Sequence, residues 1–224
     1  RLQIALGNDH TLLYTREHLS RGKLTQILVP ALKKCLCTLD IKFTDLAGIA
    51  CVRGPGSFTG LRVALATLLG IARGASLPLA GIDYLSLLAA APCSIFNGEV
   101  WIMVHARQNL IYIQGFSCPA KEPIIPSASM SLTDALVLIN SRQKPVLLLG
   151  SGLRKNLQFW SAHATQVQFA ANIWDCPAPE FLIDIACRSE FTPEPVNPTY
   201  LRQCDAEENL EQIAQKREIG RAHV

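Results

Sequence analysis

Gly54-Pro55-Gly56-Ser57-Phe58-Thr59-Gly60-Leu61-Arg62 is the stretch on which the reading of this chain turns. A short apolar run, Gly48 to Arg53, enters it and reads as a buried strand; an apolar, alanine-containing run, Ser57 to Arg73, leaves it and reads as a helix. Glycine permits a sharp turn and close backbone approach, and Ser57 is a good N-cap. Free N–H groups at a helix start can hold an anion, so a phosphate-holding loop and a tight packing turn are both open here. The common phosphate loops are excluded: no Gly-Lys-Ser/Thr ending follows, and Gly54, Gly56 and Gly60 miss G-x-G-x-x-G by one residue.

The helix carries two stripes. Phe58, Leu61, Leu65, Leu68 and Ala72 form a large apolar one; Gly60, Val63, Thr67, Gly70 and Gly74 form a small one almost opposite. A helix apolar on both flanks is covered on both. One flank meets its own sheet, and the small flank lets another helix approach closely, either within the same domain or from a partner.

Outward from this stretch, Leu2–Leu6 and Thr11–Arg16 read as a hairpin about Asn8-Asp9. Leu24–Leu39 reads as a helix, with Leu28 and Leu32 on its apolar half and Pro30 as a kink or first-turn residue. Pro78–Ile82 is predicted as a strand and Asp83–Ala91 as a helix, completing a β-β-α-β-α-β-α order that fits one α/β half. The turn-rich Pro92–Gly98 divides a first lobe, residues 1–92, from a second, residues 99–202. The second lobe is read as strands Val100–His105, Leu110–Phe116 and Pro145–Leu149, helices Thr133–Ile139 and Glu180–Phe191, and an extended Pro193–Pro198. Residues 203–224 are charged and read as a loosely held tail.

Composition narrows the function classes. A hydrophobic content of 49% over 224 residues supports a real core and excludes a disordered chain. A net charge of +3 with scattered basic residues does not indicate direct nucleic-acid binding. The eight cysteines sit mostly in apolar runs without a C-x-x-C pair, which predicts buried free thiols. No run approaches the ~20 apolar residues of a membrane span, and the first residues lack a secretory signal pattern. The five histidines form no i, i+4 pair and no H-E-x-x-H, so no metal site is expected. Neither Ser57 nor Ser151 sits in G-x-S-x-G, which argues against a serine hydrolase. Gly150-Ser151-Gly152 has no acidic neighbour in sequence, which argues against an actin-type ATP site.

The nine-residue stretch and its helix closely resemble the signature of the TsaB (YeaZ) family, in the Gcp-like glycoprotease superfamily. Four collinear segments agree with it: Pro78–Ile82, His105-Ala106-Arg107-Gln108-Asn109-Leu110-Ile111-Tyr112, Leu148–Gly152, and Pro198-Thr199-Tyr200-Leu201-Arg202. His105 and Asn109 stand where the family carries Asp and Gly. The family also opens with a strand, ending in Ile-Asp-Thr-Ser, that has no counterpart ahead of Leu2 here; its lack would leave a sheet edge exposed. The resemblance implies an actin-like, Hsp70-like (ASKHA) fold of two ribonuclease-H-like lobes. It implies a non-catalytic, cytoplasmic subunit that helps form threonylcarbamoyladenosine at position 37 of tRNA. Its partners would be the TsaD transferase, the TsaE ATPase and a second copy of itself, with tRNA met only indirectly. Docking would use the first two helices, through Leu28, Leu32, Gly60, Val63, Thr67, Gly70 and Gly74. Gly56, Ser57, Arg62 and Arg107 are the candidate nucleotide or anion contacts, with ATP or ADP at the partner interface rather than as an intrinsic cofactor. The alternatives are an actin-like ATPase or a metal-dependent glycoprotease-type enzyme acting alone.

Overall fold

A computed structural model describes residues 1–19 and 22–201; the predicted tail, 203–224, lies outside the described residues. The chain opens with the hairpin β1 (Leu2–Asn8) and β2 (Thr11–His18), followed by α1 (Leu24–Thr38), which passes through Pro30. β3 (Ile49–Gly54) then runs into α2 (Phe58–Ala75), and β4 (Leu79–Asp83) into α3 (Tyr84–Ile95). β3 and β4 pair in parallel, and among the described residues β1 pairs with β2 alone.

Helices bridge these two ribbons: α1 lies on β1 and touches α2, which lies on β3, while α7 (Pro179–Arg188) lies on β1 and touches α3, which lies on β3. No described strand joins β1 to β3.

The second half is a six-stranded sheet in the order β10-β9-β5-β6-β7, with β8 also on β6. Its strands are β5 (Gly98–Arg107), β6 (Leu110–Cys118), β7 (Glu122–Pro123), β8 (Ala128–Ser131), β9 (Val146–Leu149) and β10 (Val167–Phe169). α4 (Leu132–Asn140), capped by Ser131 Oγ accepting from the Asp134 amide, and the short α5 (Ser151–Lys155) and α6 (Leu157–His163) complete it. β5 is buried on both faces: Val100, Ile102 and Val104 join a core with α3, while Trp101 and Met103 join one with α4 and Trp160. Such a strand reads as a continuous apolar run, as this one does. The one buried charged side chain among the described residues is Glu99, 3% exposed. It accepts two 2.8 Å bonds from Arg142 and one from the Trp101 indole.

Three expectations change. The boundary at Pro92–Gly98 shortens, because α3 continues through Pro92 to Ile95. Its residues from Leu87 to Cys93 are all buried, and a helix apolar all round is held by cover on every side. Cys93 of α3 and Cys118 of β6 form a disulfide, against the expectation that all eight thiols are free; residues 25 apart in sequence meet because α3 packs directly on β6. α7, in the span assigned to the second lobe, packs back on β1 and β2 of the first.

Candidate functional site

The signature turn is built between β3 and α2. Gly54 carries φ +124°, and a Cβ there would stand 2.8 Å from the Thr199 carbonyl oxygen, so a strained backbone and a close crossing chain both require glycine. Ser57 caps α2, its Oγ accepting from the Gly60 amide at 3.3 Å. At the other end Ser76, in the left-handed conformation, closes the helix.

A strap formed by residues 191–200 crosses this region. Thr192 exchanges two backbone bonds with Leu79 on β4, at 2.7 and 2.9 Å. The Thr199 amide donates to the Arg53 carbonyl at 2.8 Å, and Tyr200 packs on Phe58 with centroids 4.8 Å apart. The Arg62 guanidinium lies 3.9 Å over the Phe58 ring and donates to the Tyr200 hydroxyl at 3.1 Å. Arg62 is thus held in an aromatic clamp. Sequence reading missed the clamp, because its partner lies 138 residues away. The signal present was the resemblance of Pro198–Arg202 to a family segment, which marked Tyr200 without saying what it touches.

α2 keeps little of itself inside. Only Ala72 is fully buried among its 18 residues. Gly70 and Gly74 are exposed, and a Cβ added to either meets nothing within 4 Å. Gly60, Val63 and Thr67 are half-buried, as is Leu32 on α1. Leu28 is 3% exposed, so it presents no surface to a partner and leaves the docking set; it lies on the inward side of α1 with Ala31 and Cys35. By length and composition α2 is also apolar enough to cross a membrane, with a mean hydropathy of 1.2 over 18 residues, which corrects the expectation that no stretch comes near that.

Of the candidate anion contacts, Gly56 and Ser57 lie on the turn and Arg62 on the first turns of α2, whereas Arg107 ends β5 in the other sheet. The second glycine turn, at Gly150, has φ +105° and is crowded by the Met103 carbonyl. It does have an acidic neighbour in space: Asp175 accepts from the Gly150 amide at 2.8 Å and from Arg154 at 2.7 Å. That carboxylate is 25 residues from Gly150, which is why sequence reading found none. The His105 amide donates to Ser151 Oγ at 3.0 Å, and its ring Nδ1 is buried without a partner among the described residues. Burial, then the nearby Lys155 charge, push this imidazole below its ordinary pKa, so it stays neutral.

Known proteins agree with this architecture. Residues 18–118 match the family model for TsaD, tRNA N6-adenosine threonylcarbamoyltransferase. The chain is 38% identical over 116 residues to the Escherichia coli tRNA threonylcarbamoyladenosine biosynthesis protein TsaB, covering 49% of this chain and 47% of that protein. It is 28% identical over 124 residues to the Bacillus subtilis TsaB, covering 54% of each. The matched region thus spans about half the length of these curated relatives. Two solved Pseudomonas aeruginosa structures, one described as similar to peptidase YEAZ and one as YeaZ, superpose with TM-scores of 0.68 and 0.66 at 21% identity. They cover 89% of this chain and 94% and 93% of theirs. The fold is therefore the actin-like, Hsp70-like α/β fold of two ribonuclease-H-like lobes. Within that class, the sequence likeness is to TsaB proteins, over about half of the chain.

Proposed function

We propose that this chain is a non-catalytic partner subunit in the formation of threonylcarbamoyladenosine at position 37 of tRNA. It docks on a TsaD transferase through the small-residue flank of α2, with Leu32 of α1 alongside. The observation that carries the reading is the open flank at Gly70 and Gly74, on a long apolar helix that buries only Ala72 within its own chain. Small residues without neighbours let a second helix approach closely. The names of the E. coli and B. subtilis relatives place them in this modification and supply the reaction class. The same flank serves for self-pairing. TsaE joins as the ATPase, tRNA is met through TsaD, and the assembly works in the cytoplasm. ATP or ADP contacts fall at the partner interface, through Gly56 and Ser57.

Size-exclusion chromatography of this chain mixed with a TsaD from the same source tests the reading, with a 1:1 species expected. Two separate peaks at micromolar concentration refute it. The Asp175-bound turn at Gly150 favours one rival, an actin-like ATPase. Against it, Asp175 is ion-paired with Arg154 and accepts from the Gly150 amide, so a magnesium ion would have to compete with the Arg154 guanidinium for that carboxylate. ATP turnover by the isolated chain above a protein-free blank would establish the rival.

A further inference from the structure

A cavity of about 210 Å³ lies where the signature turn and the start of α3 meet the outer half of β6. It is separate from the α2 flank and from the Gly150 turn. Pro55, Asp83 and Pro123 are among its walls. Junctions between lobes are a preferred place for ligand sites. Leu85 and Phe116 supply apolar wall, while Ser86, Gln114, Lys121 and Ser127 supply hydrogen-bonding groups. None of these four side chains makes a hydrogen bond or ion pair with another described residue.

Lys121 is the costly member. It is half-buried, and burial pulls its ammonium below the ordinary 10.5, with Arg188 adding to the effect and Asp184 opposing it. Its backbone is left-handed, at φ +55°, a conformation uncommon for a non-glycine residue. Asp83 does not neutralise it, because both Asp83 oxygens bind Arg53, at 2.8 and 3.1 Å. The cavity therefore presents one cation that makes no ion pair with a described residue, beside neutral hydrogen-bonding groups, which favours an anion.

Size decides which anion. Water occupies ~30 Å³ per molecule, so the space holds about seven waters. Pockets for drug-sized ligands run to ~300 Å³ or more, so this one suits a smaller molecule. The apolar wall favours a short hydrocarbon tail over a bare inorganic ion. We propose that this cavity binds a small organic carboxylate, its oxygens on Lys121 with Ser86, Gln114 and Ser127 donating, and its tail on Leu85 and Phe116.

Amide-resolved NMR titration of the full chain with sodium butyrate tests this, with sodium chloride at matched ionic strength as blank and sodium phosphate as a second arm. Saturable shifts centred on Ser86, Gln114, Lys121 and Ser127 are expected with butyrate, weakened at least tenfold in Lys121→Met and in Gln114→Leu. Two variants guard against one that fails to fold. Phosphate binding as tightly as butyrate overturns the carboxylate assignment. Shifts no larger than those with chloride, or unchanged in both variants, overturn the site.

Discussion

Gly70→Glu separates docking from folding more cleanly than any other change on α2. In the isolated chain the new Cβ meets nothing within 4 Å, and the residue is exposed. Replacing a mid-helix glycine removes a helix penalty of ~0.5–1 kcal/mol. The variant should fold and melt up to ~2–4 °C higher than the parent, the shift ~1 kcal/mol produces in a chain of this size. If α2 docks as proposed, the same carboxylate is buried against the partner helix, a loss of ~3–5 kcal/mol where no cation faces it. About 4 kcal/mol corresponds to a near thousandfold weaker complex. Differential scanning fluorimetry reads the first quantity; sedimentation velocity and calorimetric titration with TsaD read the second. Val137→Glu, on the 72% exposed Val137 of α4, is the control and should pair as the parent does. A Gly70→Glu protein that keeps its melting temperature and still pairs with parental affinity refutes the docking face.

Two further outcomes follow from the geometry. Tyr200→Ala removes the ring on Phe58 and the Arg62 hydrogen bond, about 1–2 kcal/mol together, while Tyr200→Phe loses only the bond, ~0.5–1.5 kcal/mol; urea midpoints report both. Burial would raise the Glu99 carboxyl, but bonds from Arg142 and Trp101 outweigh it and hold the group below the ordinary 4.5. Its contribution is therefore complete above pH 4.5 and is lost as pH falls through the lower folded value, whereas Arg142→Met strands the carboxylate at neutral pH for ~3–5 kcal/mol, read by urea unfolding at pH 7.

What could be read in advance divides by the range of the interaction. The cap at Ser57, the two-sided apolar pattern of α2 and the continuous run of β5 are local, set by residues within a turn or two of each other, and all three were legible. Short elements were not: β8 spans four residues, α5 five and α6 seven, too few for a helical or alternating period to rise above chance. Pro92 misled in a different way. A proline inside an apolar run looks like a stop, but α3 is enclosed by both halves of the chain, and enclosure outweighs one lost backbone bond. The site shows the same division. Its glycines were legible because backbone geometry restricts those positions. Its fixing contacts, Tyr200 on Arg62 and Asp175 on Gly150, join residues 138 and 25 apart, which no local pattern encodes. Both contacts do the same work, holding a glycine turn and its following helix from outside. The signature stretch therefore specifies a shape whose stability depends on the distant end of the chain. Damage to the strap at Thr199 or Tyr200 should reach the start of α2 before it reaches Gly70 and Gly74, which lie three or more helical turns away.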